Sequence, residues 1–485
     1  MAHVGLGEIS THSLGHEVFE SYRWLRRAKG CDVSVGLSVR PGAGPRGEET
    51  AMNNSTGGTR VLPDLEIQPT DALIDAPVSI RLKGLIAEQQ VTFRAQLADY
   101  LGCAWESQAT FVADRHGCVD VANQRPVTGT YGQPDPMGLF WSMMPVAGAE
   151  PRGYASASVA PMQVQFTADV NGSNVASVNI VRRLMAADVS RKEVREDGLV
   201  ATLFRPSGSG PHPMVVTVGG SAGGIWETPA ALLASHGFLA LALGYFGIAP
   251  LPPGLAEIPL EYFGKAIQWL KRQEGVEPKS LGVMGASRGG ELALLLGATF
   301  PEIRAVVAYV PSGALWMGIQ VGDTAPAEPV PAWTLSGRPL PFMWRGIPAD
   351  AIDWKHQPVA LSPGYVAALR DNDILEHATI AVEKTHGPIL MISGQADRMS
   401  SPKLAEIAVR RAQQYNFGFP LEHLSYPDAG HMLINLPYLP TTIRHSRHPI
   451  RQVDVDYGGT PAGDALARAD SWPKVITILR QNLER

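Results

Sequence analysis

The chain has 485 residues, 45% hydrophobic and 18% charged, which suits two or three globular domains with large buried cores. Its net charge of −5 indicates neither a basic field for nucleic acid nor a polybasic patch for a membrane surface. The 50 glycines and 39 prolines follow no repeating period, which excludes a fibrous class.

The cysteines and the two ends of the chain bear on its compartment. Cys31, Cys103 and Cys118 form no CxxC pair, so free thiols in a reducing, cytoplasmic setting are expected, with a disulfide as the alternative. No signal-peptide run opens the chain, and no stretch approaches the roughly 18 apolar residues of a membrane span. The last residues, Asn-Leu-Glu-Arg, differ from the peroxisomal ending Ser-Lys-Leu, so that address is not expected.

Residues 1–60 are predicted to be a disordered extension. The stretch 39–60 is rich in glycine, proline, serine, threonine and charge, the composition of a linker that buries little apolar surface. A translation start assigned too early is the alternative, because Met52 stands just before the ordered pattern begins.

Residues 61–190 are predicted to form an all-β domain. Apolar and polar residues alternate along several short segments that turn residues separate, which is typical of half-buried strands. Asn171-Gly172 is the strongest hairpin signal and stands in the middle of one such segment. Seven or so short strands favour an immunoglobulin-like sandwich. The segments with this pattern are 76–85, 90–100, 105–114 and 162–184.

Residues 199–485 are predicted to form an α/β-hydrolase domain. Continuous apolar runs alternate with segments of helical spacing, which indicates a mostly parallel sheet with helices on both faces. The predicted strands are 199–208, 213–220, 239–246, 280–287, 305–313, 388–397 and 421–431, and the predicted helices are 228–238, 260–273, 288–300 and 466–483.

Ser287 is the candidate nucleophile. Gly285-Ala286-Ser287-Arg288-Gly289 fits the G-x-S-x-G elbow, in which small residues two positions away leave room for a strained serine. A strand runs into the motif and a helix runs out of it, as the elbow requires. A glycine-rich turn with an N-capping serine is the alternative reading.

Asp397 and His431 are the candidate acid and base. They follow Ser287 in the order serine, acid, histidine, and each stands after a late strand. A helix N-cap is the alternative role for Asp397, and an exposed loop position is the alternative for His431. Asp428 is the rival acid and is expected to cap its loop instead. The other histidines considered lack a position behind a glycine at a late strand end; they are His386, His423, His445 and His448.

Backbone amides are the expected donors to an oxyanion. Arg288 begins the helix after the elbow, where the helix dipole also favours negative charge. The second donor is expected from Ser221 or Ala222 in the glycine-rich loop 219–224. That loop has no phosphate-binding spacing, and neither HExxH nor paired CxxC occurs, so neither a metal nor another cofactor is expected.

The chain resembles the acyl-CoA thioesterases grouped with bile acid-CoA:amino acid N-acyltransferase. The resemblance covers roughly residues 62–484. It is carried in the first half by PVSIRLKGLIAEQQVTFRAQLAD and DPMGLFWSMMP. In the second half it is carried by GGIWETPAALLASHGFLALALGYF, GASRGGELAL and GGTPAGDALARADSWPKVITILRQNL.

The resemblance implies thioester cleavage of acyl-CoA with Ser287, Asp397 and His431 at the triad positions. Family members with cysteine as nucleophile lean toward acyl transfer to an amine, whereas members with serine lean toward hydrolysis. Hydrolysis through an acyl-serine is therefore expected, in acyl-CoA and fatty acid metabolism, by a monomer or small homo-oligomer. An N-acyltransferase, a carboxylesterase or dienelactone-hydrolase-like enzyme, and a binding-only scaffold are the alternatives.

The segment 333–358 is expected to form a cap over the site. Four of its aromatic residues are candidates for an acyl pocket, and aromatic core packing is the equal alternative. They are Trp333, Phe342, Trp344 and Trp354.

Overall fold

The computed structural model describes residues 62–146, 159–321, 329–348 and 350–484. The predicted extension 1–60 and Cys31 lie outside these residues, whereas Cys103 and Cys118 are free thiols within them. None of the helices in these ranges is both long and apolar enough to span a bilayer.

Short strands fill the first part of the described chain. They are β1 (Asp64–Gln68), β2 (Asp71–Leu73), β3 (Ser79–Lys83), β4 (Gln90–Ala98), β5 (Ala104–Val112), β6 (Val119–Asp120), β7 (Thr128–Gly129), β8 (Met144–Pro145), β9 (Met162–Val170) and β10 (Ser173–Arg183), with the helix α1 (Gly138–Trp141) before β8. One sheet has the order β1-β3-β6. The other has the order β2-β10-β9-β4-β5-β7, with β8 paired to β5.

These two sheets share one hydrophobic core. In β4 the side chains of Val91, Phe93 and Ala95 are buried and alternate with more exposed neighbours. Ile80 and Leu82 of the other sheet belong to the same buried cluster. The alternation of apolar and polar residues in the sequence therefore predicted which side chains of β4 face the core. The immunoglobulin-like strand order stays a prediction.

The hairpin between β9 and β10 forms as predicted. Asn171 and Gly172 both have positive φ, at 51° and 78°, which the two central residues of a type I′ turn require. Val170 pairs with Ser173 across the turn, so the register begins directly beside it.

A large sheet dominates the second part of the chain. The strands here are β11 (Ser190–Val194), β12 (Val200–Arg205), β13 (His212–Val218), β14 (Leu239–Gly244), β15 (Ile258–Pro259), β16 (Val276–Ala286), β17 (Ile303–Tyr309), β18 (Trp333–Leu335), β19 (Arg338–Pro339), β20 (Ile389–Gly394), β21 (Leu421–Tyr426), β22 (His445–Arg447) and β23 (Asp454–Asp456). Eight of them form one sheet in the order β11-β12-β14-β13-β16-β17-β20-β21. The six strands from β14 to β21 are parallel, so their carboxyl ends meet at one edge.

Helices cover both faces of this sheet. They are α2 (Glu227–Ser235), α3 (Leu260–Lys271), α4 (Arg288–Thr299), α5 (Ser362–Ala368), α6 (Asn372–Ala378), α7 (Pro402–Gln414) and α8 (Pro461–Leu483). Val216 of β13 packs in a cluster with residues of α3, α4 and α7, whereas the neighbouring Val215 packs in another with residues of α2 and α8. The predicted mostly parallel sheet with helices on both faces is therefore confirmed.

Helix α8 is longer than the sequence suggested. It begins at Pro461 rather than at 466, because the Thr460 hydroxyl accepts a hydrogen bond from the Gly463 amide and Pro461 suits the first turn of a helix. The extra turn carries Asp464, which is fully buried. Asp464 accepts a hydrogen bond from the amide of Gly430, the residue before His431.

Candidate active site

Ser287 stands in the turn between β16 and α4. Its backbone is at φ 57° and ψ −120°, a region that a residue with a side chain occupies only when its surroundings enforce it. The Ser287 amide donates to the Tyr309 carbonyl at 2.9 Å, which ties the turn to the neighbouring strand β17. The turn therefore has the strained backbone that the elbow motif predicted.

Gly285 and Gly289 have no room for a side chain. A Cβ atom on Gly285 would lie 1.9 Å from the Gly289 carbonyl oxygen, and one on Gly289 would lie 2.3 Å from the Gly219 carbonyl oxygen. Both distances are far inside van der Waals contact. The two glycines of the motif are thus demanded by close backbone approach, as the sequence argument required.

The structure brings Ser287, His431 and Asp397 together in one chain of hydrogen bonds. His431 Nδ1 lies 2.8 Å from Asp397 Oδ2, and His431 Nε2 lies 3.1 Å from Ser287 Oγ. A carboxylate only accepts hydrogen bonds, so we assign the ring proton to Nδ1. Nε2 then accepts from the serine hydroxyl, the arrangement in which a histidine takes a proton from a nucleophile.

Asp397 is buried and held by the loop that follows β20. Its Oδ1 accepts from the amides of Met399 and Ser400, at 2.8 and 2.7 Å. Its Oδ2 remains aimed at the imidazole. This loop geometry orients the carboxylate toward His431, whereas the helix α7 that follows is capped by Ser401.

Gly430, the residue before His431, is a glycine because of close packing. Its φ of −107° is open to any residue, so it does not serve to bend the chain. A Cβ atom there would instead lie 2.3 Å from the Gly458 carbonyl oxygen. The Gly430 amide donates to Asp464 Oδ1 at 2.7 Å, and the His431 amide donates to the Tyr457 carbonyl at 2.8 Å. Close packing against two neighbouring segments therefore fixes the backbone of His431.

The rival acid and one rival base lie elsewhere. Asp397, and not Asp428, forms the hydrogen bond with Nδ1 of the His431 imidazole. The backbone carbonyl of Asp428 accepts a hydrogen bond from the Thr460 amide at 2.8 Å. His423 pairs with Ser393 at 3.0 Å, and burial lowers its pKa.

His448 is a residue that the sequence argument passed over. It is buried, and its Nε2 lies 2.8 Å from the Oγ of Ser221, which belongs to the expected oxyanion loop. The pKa of His448 is lowered to about 3, mainly by burial and in smaller part by the nearby positive charges of Arg451 and His431. Its sequence context, a polar and basic loop, carries no signal of burial.

The glycine-rich loop 219–224 packs against the nucleophile. A Cβ atom on Gly220 would lie 3.1 Å from Ser287 Cβ and 3.7 Å from its Oγ. The Tyr245 hydroxyl donates to the Gly219 carbonyl at 2.6 Å and holds the loop. Ser221 is buried, whereas Ala222 is exposed. Ser221 thus follows directly on the residue that touches the nucleophile.

Arg288 begins helix α4 beside Ser287. The amides of Gly290 and Glu291 donate to the Ser287 carbonyl, so the helical ladder starts after the Arg288 amide. The first amides of a helix point out of its N-terminus and suit an anion. The position of Arg288 is therefore compatible with the predicted donor role.

The side chain of Arg288 belongs to a buried polar cluster that the sequence argument missed. Arg288 Nη2 lies 3.2 Å from Glu291 Oε1, and Trp333 Nε1 donates to the same oxygen at 2.8 Å. Burial raises the pKa of Glu291 to about 7, although Arg288 and Trp333 act in the opposite direction. A glutamate three residues after the elbow arginine on one helix face is the signal that could have found this pair.

The four candidate acyl-pocket aromatics separate in the structure. Trp333 is buried in the core beside Tyr245, with ring centroids 5.8 Å apart. Phe342 and Trp344 line a cavity of about 400 Å³ together with Ile374 and His377. Trp354 packs on the cluster that contains Val455. Trp333 is therefore a core residue, and the acyl pocket stays a prediction for the other three.

Comparison with known proteins identifies two family regions. Residues 75–196 match the Acyl-CoA thioester hydrolase/BAAT N-terminal region, and residues 258–485 match the BAAT / Acyl-CoA thioester hydrolase C terminal. A putative dienelactone hydrolase from Klebsiella pneumoniae aligns at 17% identity with a TM-score of 0.36, over 60% of this chain and 98% of that one.

Curated relatives match over nearly their whole length. Peroxisomal succinyl-coenzyme A thioesterase of Mus musculus is 30% identical, over 86% of this chain and 96% of the relative. Acyl-coenzyme A thioesterase 6 of Mus musculus is 31% identical, over 84% of this chain and 94% of the relative. Acyl-coenzyme A amino acid N-acyltransferase 1 of Mus musculus is 30% identical, over 86% and 96%. Two family regions and these relatives show that the chain belongs to the acyl-CoA thioesterase and bile acid-CoA:amino acid N-acyltransferase family.

Proposed function

We propose that this protein is an acyl-CoA thioesterase that hydrolyses acyl-CoA to a free carboxylic acid and CoA through an acyl-serine on Ser287. The observation that carries the proposal is the hydrogen-bond chain Ser287–His431–Asp397, at 3.1 and 2.8 Å. It occurs in a protein that matches relatives named thioesterases over 84% to 86% of its length.

In the acylation step, Ser287 Oγ attacks the thioester carbonyl carbon while His431 Nε2 takes the hydroxyl proton. A tetrahedral oxyanion forms. When it collapses, the carbon–sulfur bond breaks, and the CoA sulfur receives the proton from His431 as the thiol leaves. Asp397 stabilises the imidazolium and holds its tautomer.

In the deacylation step, His431 takes a proton from water, which attacks the acyl-serine carbonyl. The ester bond to Oγ then breaks, Oγ recovers the proton, and the carboxylic acid leaves. The Arg288 amide and an amide from the loop, of Ser221 or Ala222, are the proposed backbone donors to the oxyanion in both steps.

Substitution of Ser287 by alanine tests the proposal. We expect thiol release from acyl-CoA to fall by about 10⁴-fold or more, because an acyl-serine can no longer form. A fluorophosphonate should label wild type at Ser287 and leave the variant unlabelled. The control is Ser425→Ala, an exposed strand position, with unchanged rates. Equal thiol release from wild type and Ser287→Ala would reject the proposal.

Amino acid N-acylation is the second candidate function. It is favoured by the relative named an N-acyltransferase, which matches this chain as fully as the thioesterases do. Serine rather than cysteine at position 287 supports hydrolysis. Thiol release measured with and without glycine or taurine, with mass analysis of the product, separates the two. An amide product would overturn simple hydrolysis.

A carboxylesterase or dienelactone-hydrolase-like activity would use the same three residues. Hydrolysis of p-nitrophenyl esters by a preparation that leaves acyl-CoA intact would favour it. A panel from acetyl-CoA to palmitoyl-CoA, with branched thioesters added, is the matching substrate test for the main proposal.

We also propose the finer properties that the sequence predicted. These are an immunoglobulin-like order for the strands of residues 61–190, a catalytic domain over residues 199–485, a monomer or small homo-oligomer, and a cytoplasmic location in fatty acid metabolism. Relatives include proteins named peroxisomal and mitochondrial, so the location is tested by cell fractionation. Light scattering measures the oligomeric state.

A further inference from the structure

A second serine–histidine pair lies beside the nucleophile. Ser221 Oγ and His448 Nε2 are 2.8 Å apart, and the two residues are only 6% and 4% exposed. They are 227 positions apart in the sequence, so only the tertiary structure brings them together. The reaction described above uses neither side chain.

The proton on His448 can be assigned from its neighbours. His448 Nδ1 accepts from the backbone amides of Ile450 and Arg451, at 3.2 and 3.1 Å. A ring nitrogen that accepts hydrogen bonds does not carry the proton of a neutral imidazole, so the proton is on Nε2. Burial is the main cause of the lowered pKa of His448, about 3, so the ring is neutral near pH 7. His448 therefore donates to Ser221 Oγ.

This direction of donation is opposite to that in the pair of Ser287 and His431. There the imidazole nitrogen accepts the serine proton, whereas here it donates its own proton to the serine oxygen. Ser221 consequently gains no base and is not a second nucleophile. Its own hydroxyl hydrogen is turned away from His448 and is left to donate to another acceptor.

The loop places Ser221 next to the reacting centre. Gly220, one residue before it, approaches Ser287 so closely that a Cβ atom there would lie 3.7 Å from Oγ. Consecutive Cα atoms are about 3.8 Å apart, so Ser221 stands one residue from the backbone that packs against Ser287 Oγ. His448 is fixed in turn, because its amide donates to the Val453 carbonyl and its carbonyl accepts from the Gln452 amide.

We propose that the Ser221 hydroxyl donates a hydrogen bond to the carbonyl oxygen of the acyl thioester as it becomes an oxyanion, and that His448 is the positioning residue that orients this hydroxyl. The inference rests on the proposed function and deepens it. It adds a side-chain donor to the backbone amides of the oxyanion site. A donor aimed at developing charge acts mainly on the transition state and so on kcat.

Removal of the hydroxyl is the first test. With the acyl-CoA that wild type cleaves fastest, Ser221→Ala is expected to lower kcat by about 100-fold and to change KM by less than about threefold. Ser221→Thr keeps a hydroxyl and is expected to recover most of the lost rate. A loss of rate that threonine does not rescue, or a change in KM alone, would overturn the donor role.

Removal of the orienting histidine is the second test. His448→Leu leaves the hydroxyl in place without its fixed direction, so kcat is expected to fall about fivefold to tenfold. In the Ser221→Ala background the same change should cost nothing further, because the two residues act as one unit. Equal losses in both backgrounds would mean that His448 acts only on the fold. This variant also keeps the inference testable if Ser221→Ala folds poorly.

Ser393→Ala is the matched control. It removes another buried serine hydroxyl that is paired with a histidine, His423, at 3.0 Å. We expect a loss of stability similar to that of Ser221→Ala with kcat unchanged. An equal fall in kcat in the two variants would assign both effects to the fold and contradict the inference.

Fluorophosphonate labelling separates this inference from the proposed function. The phosphonyl oxygen takes the place of the oxyanion, so Ser221→Ala should label Ser287 more slowly than wild type does. If wild type neither labels nor releases thiol, the proposed function fails. If wild type does both and Ser221→Ala labels at the same rate, only the role of Ser221 fails.

Discussion

At the scale of single residues, Arg288, Glu291 and Trp333 form a buried polar cluster that begins at the residue after the nucleophile. Glu291 is 1% exposed and accepts from Trp333, and Arg288 lies beside it. An ion pair at this depth loses much of its attraction to the cost of desolvation. The raised pKa of Glu291 records that cost, because burial disfavours the charged carboxylate.

This shift makes a prediction about stability and pH. The pKa of Glu291 is raised from 4.5 to about 7 on folding, so between these values the folded state binds more protons than the unfolded state. The free energy of unfolding therefore falls as pH rises from about 4.5 to 7. In Glu291→Gln that fall should be absent, although the absolute stability drops because the buried Arg288 loses the negative charge beside it.

Urea unfolding at a series of pH values measures the slope of the free energy of unfolding against pH. Glu422→Gln, a change at an exposed strand position, serves as the control and should keep the slope of wild type. A Glu291→Gln protein with the slope of wild type would show that Glu291 is not the titrating group.

At the scale of elements, the junction of β16 and α4 determines the geometry of the nucleophile. The strand ends at Ala286 and the helix begins at Arg288, so a single residue makes the turn. Gly285 and Gly289 flank it and contact backbone atoms at distances that leave no space for a methyl group. The turn and its tight packing are inseparable.

Gly289→Ala is expected to be costly for this reason. The new Cβ atom would lie within 2.4 Å of two backbone oxygens, so the helix start must move. Overpacking of this kind costs about 1–3 kcal/mol of stability, and a displaced Ser287 loses its alignment with His431. We expect at least a 100-fold loss of kcat, measured by thiol release together with thermal unfolding.

Gly418→Ala is the control for this substitution. It lies in the same part of the chain, and a Cβ atom there meets nothing within 4 Å. Its stability and rate should match those of wild type. If Gly289→Ala behaved in the same way, the steric account of the elbow would be wrong.

At the scale of the whole molecule, polar contacts join two regions: the first region, which holds strands β1–β10, and the second region, which holds the eight-stranded sheet. The carboxylate of Asp75 accepts from Trp472 of helix α8 at 2.9 Å and lies 2.6 Å from His236 Nε2. Thr441 and Thr442, on the segment between His431 and His448, donate to the carbonyls of Trp141 and Met143, respectively. The first region therefore supports the segment that links the two histidines of the site.

Asp75→Ala should weaken this connection. It leaves the Trp472 indole and the His236 imidazole without their shared acceptor, at a cost of about 1–3 kcal/mol. Asp71→Ala, which breaks a solvent-exposed pair with Arg183, should cost clearly less, because water screens that pair. Urea unfolding measures the loss of stability in the two variants. Equal losses would argue that the Asp75 contacts do not connect the two regions.

The sequence by itself determined seven of the eight strands of the large sheet and the three triad candidates. Ser287 stood in a motif whose glycines have a local steric reason, and Asp397 and His431 followed strand ends whose order along the chain is readable. Half-buried strands show a period of two and fully buried strands show a continuous apolar run, so both kinds of strand could be predicted from the sequence.

Only the tertiary structure decided what depends on distant packing. His448 contacts Ser221, although 227 positions separate them in the sequence. Gly430 is a glycine because the Gly458 backbone lies against it. Trp333 is buried in the core and does not line the proposed acyl pocket. None of these has a local period or motif, because each is created by segments that meet only after the chain folds.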